Sequence, residues 1–393
     1  MITYEEHRLR SLADEGRWTE LLGAYRQARA AAVAVDGRSG LGRHGGLADR
    51  DGLDGCEGFD GRDRCAGRGW DGTRAPLGGP VGPVGPVGPG GGEGVAGVAG
   101  VAGPPPVIDD AARTRAAVAT APLGHLIAYA APPEVAARLF DADGGPGTAA
   151  GVRDHDAGPL WEVLATRHSW RRLAPLLGPA EVRRLVAQTR VLLGEDLSYG
   201  AEPDREGVPL LLESWEAVGW GEGVRVREYL PGGGSRSALL TLPASREGLG
   251  PVELPEPGAR LPGQRATRAL AELAGWAVAV CVRGPAPCAA AQLAPGRLVT
   301  GGYVPFALAC PALVQAGVAD REHGAAHGRL ALWRVLTAMT GAERPDRSEV
   351  NALVARMRCF TWADPADRLR HLHLVLEDPA TGLSWAVSGS EEV

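Results

Sequence analysis

The chain has 393 residues, 45% of them hydrophobic, with 47 acidic against 41 basic side chains and a formal net charge of −6. That length can hold a sizeable core and more than one domain, and the acidic balance argues against a nucleic acid or an anionic membrane recruited by bulk positive field. All 41 basic residues are arginine, and the absence of lysine excludes a phosphate-loop lysine, a Schiff base to pyridoxal phosphate, a kinase lysine and an S-x-x-K acyl-enzyme pair.

The start "MITYEEHRLRSLADEG" has no apolar run, and no stretch of about 20 apolar residues follows anywhere. The reading is a cytoplasmic chain without signal peptide or membrane span. Residues 1–35 predict a helical hairpin: Leu9, Leu12 and Ala13 recur at helical spacing, "EGRW" turns the chain, and Trp18, Leu21, Leu22 and Tyr25 form an i, i+3, i+4, i+7 stripe. The string "LADEGRWTELLGAYRQA" is similar to the first helix pair of a tetratricopeptide unit, but no second copy occurs at that period. One copy cannot stack into a solenoid.

Residues 36–106 read as one disordered, Gly/Pro-rich insertion. From Asp36 to Thr73 glycine, aspartate and arginine dominate, and the isolated large apolar residues have no regular period. Glycine then stands at every third position from Gly79 to Gly103, the spacing that a collagen triple helix requires. The triplets, however, are tandem copies of Gly-Pro-Val and Gly-Val-Ala, and a short triple helix with no trimerising neighbour gains little against the entropy of ordering three chains. The segment reads as a tether with a root-mean-square reach of roughly 50 Å. Its "GLGRHG" has no strand before it and no helix after it, so it is not a dinucleotide fingerprint.

Residues 107–220 read as a helical region, with helices over Asp109–Thr120, Leu123–Tyr129 and Glu134–Phe140. Three more are punctuated at Ser169 and at Gly178-Pro179, with Val182, Leu185, Val186, Leu192 and Leu193 on one face. Arg167, Arg171, Arg172, Arg183 and Arg184 fall on polar faces, where Glu162 and Glu181 suit them as solvated ion-pair partners.

Residues 221–393 read as an α+β region. "VRVREYL" and "SALLTLP" alternate as strands around a loose glycine loop, and Pro243–Pro262 reads as a connector. A buried strand is expected from Trp276 to Val282, followed by a turn at Gly284-Pro285, a short helix, a helix near Phe306–Val314 and the helix "EHGAAHGRLALWRVLTAM". The clearest element is a C-terminal hairpin: Leu372, Leu374 and Leu376 alternate with His371, His373, Val375 and Glu377, and Leu383, Trp385 and Val387 alternate on the return strand. Asp378-Pro379 starts its turn and Gly382 supplies the left-handed residue. The expected class is α+β, helical in its first and central parts, with a small antiparallel or mixed sheet.

Six cysteines without a C-x-x-C pair do not form a disulfide framework or a zinc knuckle. Cys281, Cys288, Cys310 and Cys359 sit among apolar residues and read as small buried hydrophobes. Neither a G-x-S-x-G elbow nor an H-E-x-x-H helix is present.

The pieces "AAHGRLALW" and "LHLVLEDPATGLSWAVSG" resemble segments of uncharacterised actinobacterial proteins. The resemblance covers the last third of the chain and implies no activity.

One constellation has residue types suited to metal chemistry. His323 and His327 stand four apart on an expected helix, and His371 and His373 two apart on an expected strand, so each pair shares one face of its element. On the helical wheel the first pair, with Arg334 and Thr337, lies opposite the stripe of Leu332, Val335, Leu336 and Met339. Zinc needs three or four ligands, so the pairs would have to converge, with Glu377 as a further carboxylate. Two functions are therefore expected. The first is a soluble, non-enzymatic interaction or regulatory protein whose helical parts bind a protein partner and whose tether frees the N-terminal hairpin. The alternative is a metal-dependent hydrolase or metal-binding protein that holds zinc with the four histidines.

Overall fold

A computed structural model describes residues 9, 11–39, 110–141, 153–154, 158–221, 223–318 and 323–391. The chain divides into one unit of Met1–Arg38 with Ile108–Val393 and another of Ser39–Val107. Apart from Ser39, the second unit lies outside the described residues, and with it all of the expected tether of residues 36–106 except residues 36–39, which are helical.

The fold is α+β. Its longer helices are α1 (Trp18–Ser39), α2 (Asp110–Ala130), α3 (Leu160–Arg167), α4 (Ala180–Leu192), α5 (Arg265–Leu273), α6 (Ala286–Ala290), α7 (Phe306–Ala316), α8 (Ala325–Thr340) and α9 (Arg347–Arg356). Single turns at Pro133–Ala136, Trp170–Leu173 and Ser214–Ala217 join them. The main sheet contains β1 (Gly250–Glu253), β2 (Val278–Arg283), β3 (Leu298–Val304), β4 (Arg358–Ala363), β5 (Arg370–Asp378) and β6 (Leu383–Glu391). Its order is β1-β3-β4-β5-β6-β2, and every neighbouring pair is antiparallel. Among the described residues no helix is long and apolar enough to cross a membrane.

Side-chain alternation gives the sheet two buried faces. Leu372, Leu374, Leu376, Trp385 and Val387 join the large core formed with Leu270, Leu313, Leu330 and Leu336 of α5, α7 and α8. Val280, Val282, Phe360, Trp362, Val375 and Ala386 face the other way, against Ala286, Ala289 and Ala290 of α6. Helix α6 thus covers one stretch of the face that carries His371, His373 and Val375. The predicted turn is found, with Gly382 at φ 65°.

The expected N-terminal hairpin is found, with helical residues on both sides of a turn at Glu15 and Gly16, but it packs into the main core. Leu12, Leu21, Leu22 and Tyr25 are buried in the same core as Ile127, Leu139 and Leu160, and α1 continues through the expected boundary at residue 36 to Ser39. The expected break near residue 121 is absent too, since α2 runs through Pro122.

In the α+β region, "VRVREYL" pairs only through Glu228–Tyr229 with Ser235–Arg236, and the connector Pro243–Pro262 contributes edge strand β1. Pro251 lacks an N–H but is tolerable there, because one side of an edge strand needs no ladder donor. The sequence reading also missed β3 and β4.

Candidate functional site

His327 stands in the first turn of α8, whereas His323 precedes Gly324, the N-cap. The two are therefore not an i, i+4 pair on one helix face, although their rings lie 4.8 Å apart. The edge of His327 also meets Trp161 at 5.4 Å, and Arg227 Nη2 donates to the His323 carbonyl at 3.0 Å. Thr337, expected on the polar face, is buried, whereas Arg334 is exposed.

The start of α8 is set by a carboxylate from α3. Glu162 Oε2 accepts the Ala325 N–H at 2.5 Å and Oε1 accepts the Tyr229 hydroxyl at 2.7 Å. Burial pushes the Glu162 carboxyl above its ordinary range, against the opposing pull of Arg227 and these two donors. A carboxylate at a helix N-terminus meets the positive end of the backbone dipole and one of the orphan N–H groups. Glu162 was expected to be a solvated arginine partner; it is instead fully buried.

His323 and His327 open onto a cleft of about 500 Å³ that Glu272, Trp276, Arg334 and Glu391 also line. Trp276 can lie across β6 because residue 389 is glycine: a Cβ there would come within 3.0 Å of Trp276 Cε3 and 2.7 Å of Ala277 Cβ. The Arg370 guanidinium sits 5.6 Å from the Trp276 ring centre and pairs with Glu391 at 2.6 Å. Arg334 is held by Glu206 through bonds of 3.0 and 3.1 Å. Burial pushes the Glu206 carboxyl up, but Arg334 and Arg184 outweigh it and lower it to about 2. Glu272, in contrast, is exposed on α5 and forms no ion pair among the described residues.

His371 and His373 belong to a different place. They alternate with Leu372 and Leu374, so they lie on the α6 face of the sheet, whereas Leu372 and Leu374 join the α5, α7 and α8 core. His373 is 3% exposed. Its Nε2 meets Asp367 Oδ1 at 2.6 Å, its Nδ1 meets Ser388 Oγ at 2.8 Å, and its ring lies between Trp362 at 5.3 Å and His371 at 5.9 Å. Both ring nitrogens of His371 face carbonyls, of Arg368 and Pro243, at 3.0 Å. Glu377 accepts the Ala286 N–H at 2.9 Å, at the start of α6.

The four histidines are thus not assembled into one centre. The sheet separates the pairs, and no group of three His, Cys, Asp or Glu side chains that could hold a metal ion forms among the described residues. The convergence that a four-histidine zinc site requires is therefore not met among the described residues. Cys281, Cys310 and Cys359 are buried and Cys288 is half-buried; burial pushes the Cys281 thiol to about 11, Cys359 to about 12 and Cys310 well above its ordinary value. A thiol raised in this way is a poor nucleophile at neutral pH.

The strongest polar cluster escaped the sequence reading. Arg329 on α8 is fully buried; it forms a two-bond pair with Glu216 and also donates to Gln188 and to the carbonyls of Pro209 and Leu211. The available signal was the spacing of Glu213 and Glu216, which form a reciprocal capping box around the turn Ser214–Ala217. No protein-family model, curated protein or solved structure matches the chain.

Proposed function

We propose that the chain is a non-enzymatic interaction protein whose histidine cleft receives a basic side chain of a protein partner. The observation that carries this reading is the exposed carboxylate of Glu272, which forms no ion pair among the described residues, in a cleft that Trp276 also lines. A carboxylate near an aromatic ring suits a guanidinium or ammonium group, by charge and by cation–π attraction. The wall already holds one such group, because Arg370 lies over Trp276 and pairs with Glu391. The net charge of −6 favours encounter with a basic partner.

The test is titration of the full chain with a short arginine-containing peptide, followed by calorimetry. Saturable binding that weakens with salt and is lost in Glu272→Gln supports the reading. Absence of binding, or binding unchanged in Glu272→Gln, overturns it.

A second reading rests on the hydrogen-bond chain Asp367–His373–Ser388. A serine hydroxyl on an imidazole that a carboxylate orients has the connectivity of an activated nucleophile. Ser388 is only half-buried, and Val278, its partner across the strand pair, is exposed. Phosphonylation of Ser388 by a fluorophosphonate, abolished in His373→Gln, would support acyl transfer. An unlabelled chain would leave the array as a tie between the 364–368 segment and the sheet.

A further inference from the structure

A second cleft, of about 580 Å³, opens between α4 and the segment 200–205 and shares no lining residue with the histidine cleft. Its volume is within the range of small-molecule sites, about 300–1,000 Å³. Trp170, Pro175, Ala187 and Leu210 give it apolar walls, and Arg183 and Arg205 also line it. Trp170 and Leu210 also belong to a small apolar cluster with Ala187, Val191 and Leu197.

Two features make this cleft a built site. The first is its buried support: Arg184 pairs with Asp204 through bonds of 2.7 and 3.1 Å and with Glu206 at 2.9 Å, which pins the far wall to α4. Asp204 in turn accepts the Glu206 N–H at 2.9 Å, and Gln188 donates to Asp204 at 3.3 Å. The second is the state of Arg183. Its Nε and Nη2 both donate to the Leu177 carbonyl, at 3.2 and 2.8 Å, so the guanidinium is held in one orientation. Among the described residues its Nη1 has one loose partner, Glu202 at 3.7 Å, whose side chain is 86% exposed. An exposed pair of that length contributes little, so a ligand anion can replace Glu202 at small cost. Arg205 is held more closely, by Glu181 at 2.9 Å.

We infer that this cleft binds a small molecule with a flat apolar body and one acidic group, the body against Trp170 and Leu210 and the acid on Arg183. A fixed guanidinium loses little conformational freedom on binding, and a ring of the ligand can stack on or pack edge-on to the indole. The inference is independent of the reading of the histidine cleft, since neither a lining residue nor the ligand charge is shared.

The probes are two fluorescent naphthalenes of the same shape, anilinonaphthalene sulfonate and the uncharged phenylnaphthylamine, titrated into the full chain with its fold monitored by circular dichroism. Both should bind saturably at one site. The sulfonate should bind more tightly, by about tenfold, the ratio expected of a charge-assisted hydrogen bond. Arg183→Gln should abolish that preference while leaving the uncharged probe unaffected, and Glu202→Gln should strengthen sulfonate binding. Trp170→Ala should weaken both probes in a chain that remains folded. Failure of both probes to saturate, equal affinity for the two in the wild type, or indifference to both Arg183→Gln and Trp170→Ala would overturn the inference.

Discussion

Arg329 and Glu216 meet side-on in the core, with Nε to Oε1 at 2.7 Å and Nη2 to Oε2 at 2.9 Å, and neither side chain is more than 2% exposed. The remaining Arg329 N–H groups donate to Gln188, Pro209 and Leu211. The Trp333 indole donates to Glu216 Oε1 at 3.0 Å. Two ions taken from water are tolerable only when their mutual attraction and further hydrogen bonds offset the desolvation, and here they do. The pair fixes α8 to α4 and to the segment 209–216.

Removal of one partner therefore leaves an uncompensated buried charge. Arg329→Met should cost on the order of 3–5 kcal/mol, measured by urea unfolding. Adding Glu216→Gln should recover part of that loss, because the orphaned carboxylate is then gone. A single-variant cost within about 0.5 kcal/mol, the usual effect of a surface change, would show the site to be hydrated.

Trp385 is 2% exposed and packs in the core with Leu372, Leu374 and Leu376. Trp385→Ala should cost about 3–5 kcal/mol by loss of buried area and the cavity left behind. Thermal or urea unfolding of the variant measures it, and a neutral result would remove the helix-side face of the sheet from the core.

That face was legible in the sequence because period-2 alternation survives when one side of a strand meets a core. Strands β3 and β4 were illegible for local reasons. Gly301-Gly302 reads as a breaker, yet a Cβ at Gly301 would lie 2.9 Å from both Phe360 Cζ and the Thr361 carbonyl, so glycine is what lets β3 pair with β4. Only Met357 separates α9 from β4, leaving no turn signal between helix and strand. The histidine pairs were legible as faces but not as a site, since spacing along one element does not say which side of a sheet its neighbour occupies. Arg329 reads as one more arginine on a helix; its burial depends on Glu216, 113 residues away in the chain.

Glu206 ties α4 to α8 through Arg184 at 2.9 Å and Arg334 at 3.0 Å. Its carboxyl is lowered from 4.5 to about 2, so the folded state binds its proton less readily than the unfolded chain does. The associated stability is present above the ordinary 4.5 and is lost as pH falls toward about 2. Wild type and Glu206→Gln should accordingly converge in stability across that window when unfolding is followed against pH. A constant difference down to the lower limit would mean that the two arginines do not hold the carboxylate.

The start of α8 gives the last prediction. Gly324 has φ −92°, a value any residue adopts, so its need for glycine is steric and not conformational. A Cβ at this position would collide with the Glu162 carboxylate and the Trp161 ring, both of which are fully buried. Neither can retreat without loss, because Glu162 holds the Ala325 N–H and the Tyr229 hydroxyl while Trp161 packs edge-on to His327. Gly324→Ala should therefore destabilise by about 1–3 kcal/mol, the range of overpacking in a filled interior, and alanine is also the poorer N-cap residue. Urea unfolding measures the loss. A proton spectrum would show the strain locally, as shifted resonances of the Trp161 indole and the His327 ring. A stabilised variant with those resonances unmoved would mean that Glu162 does not sit at the N-terminus of α8.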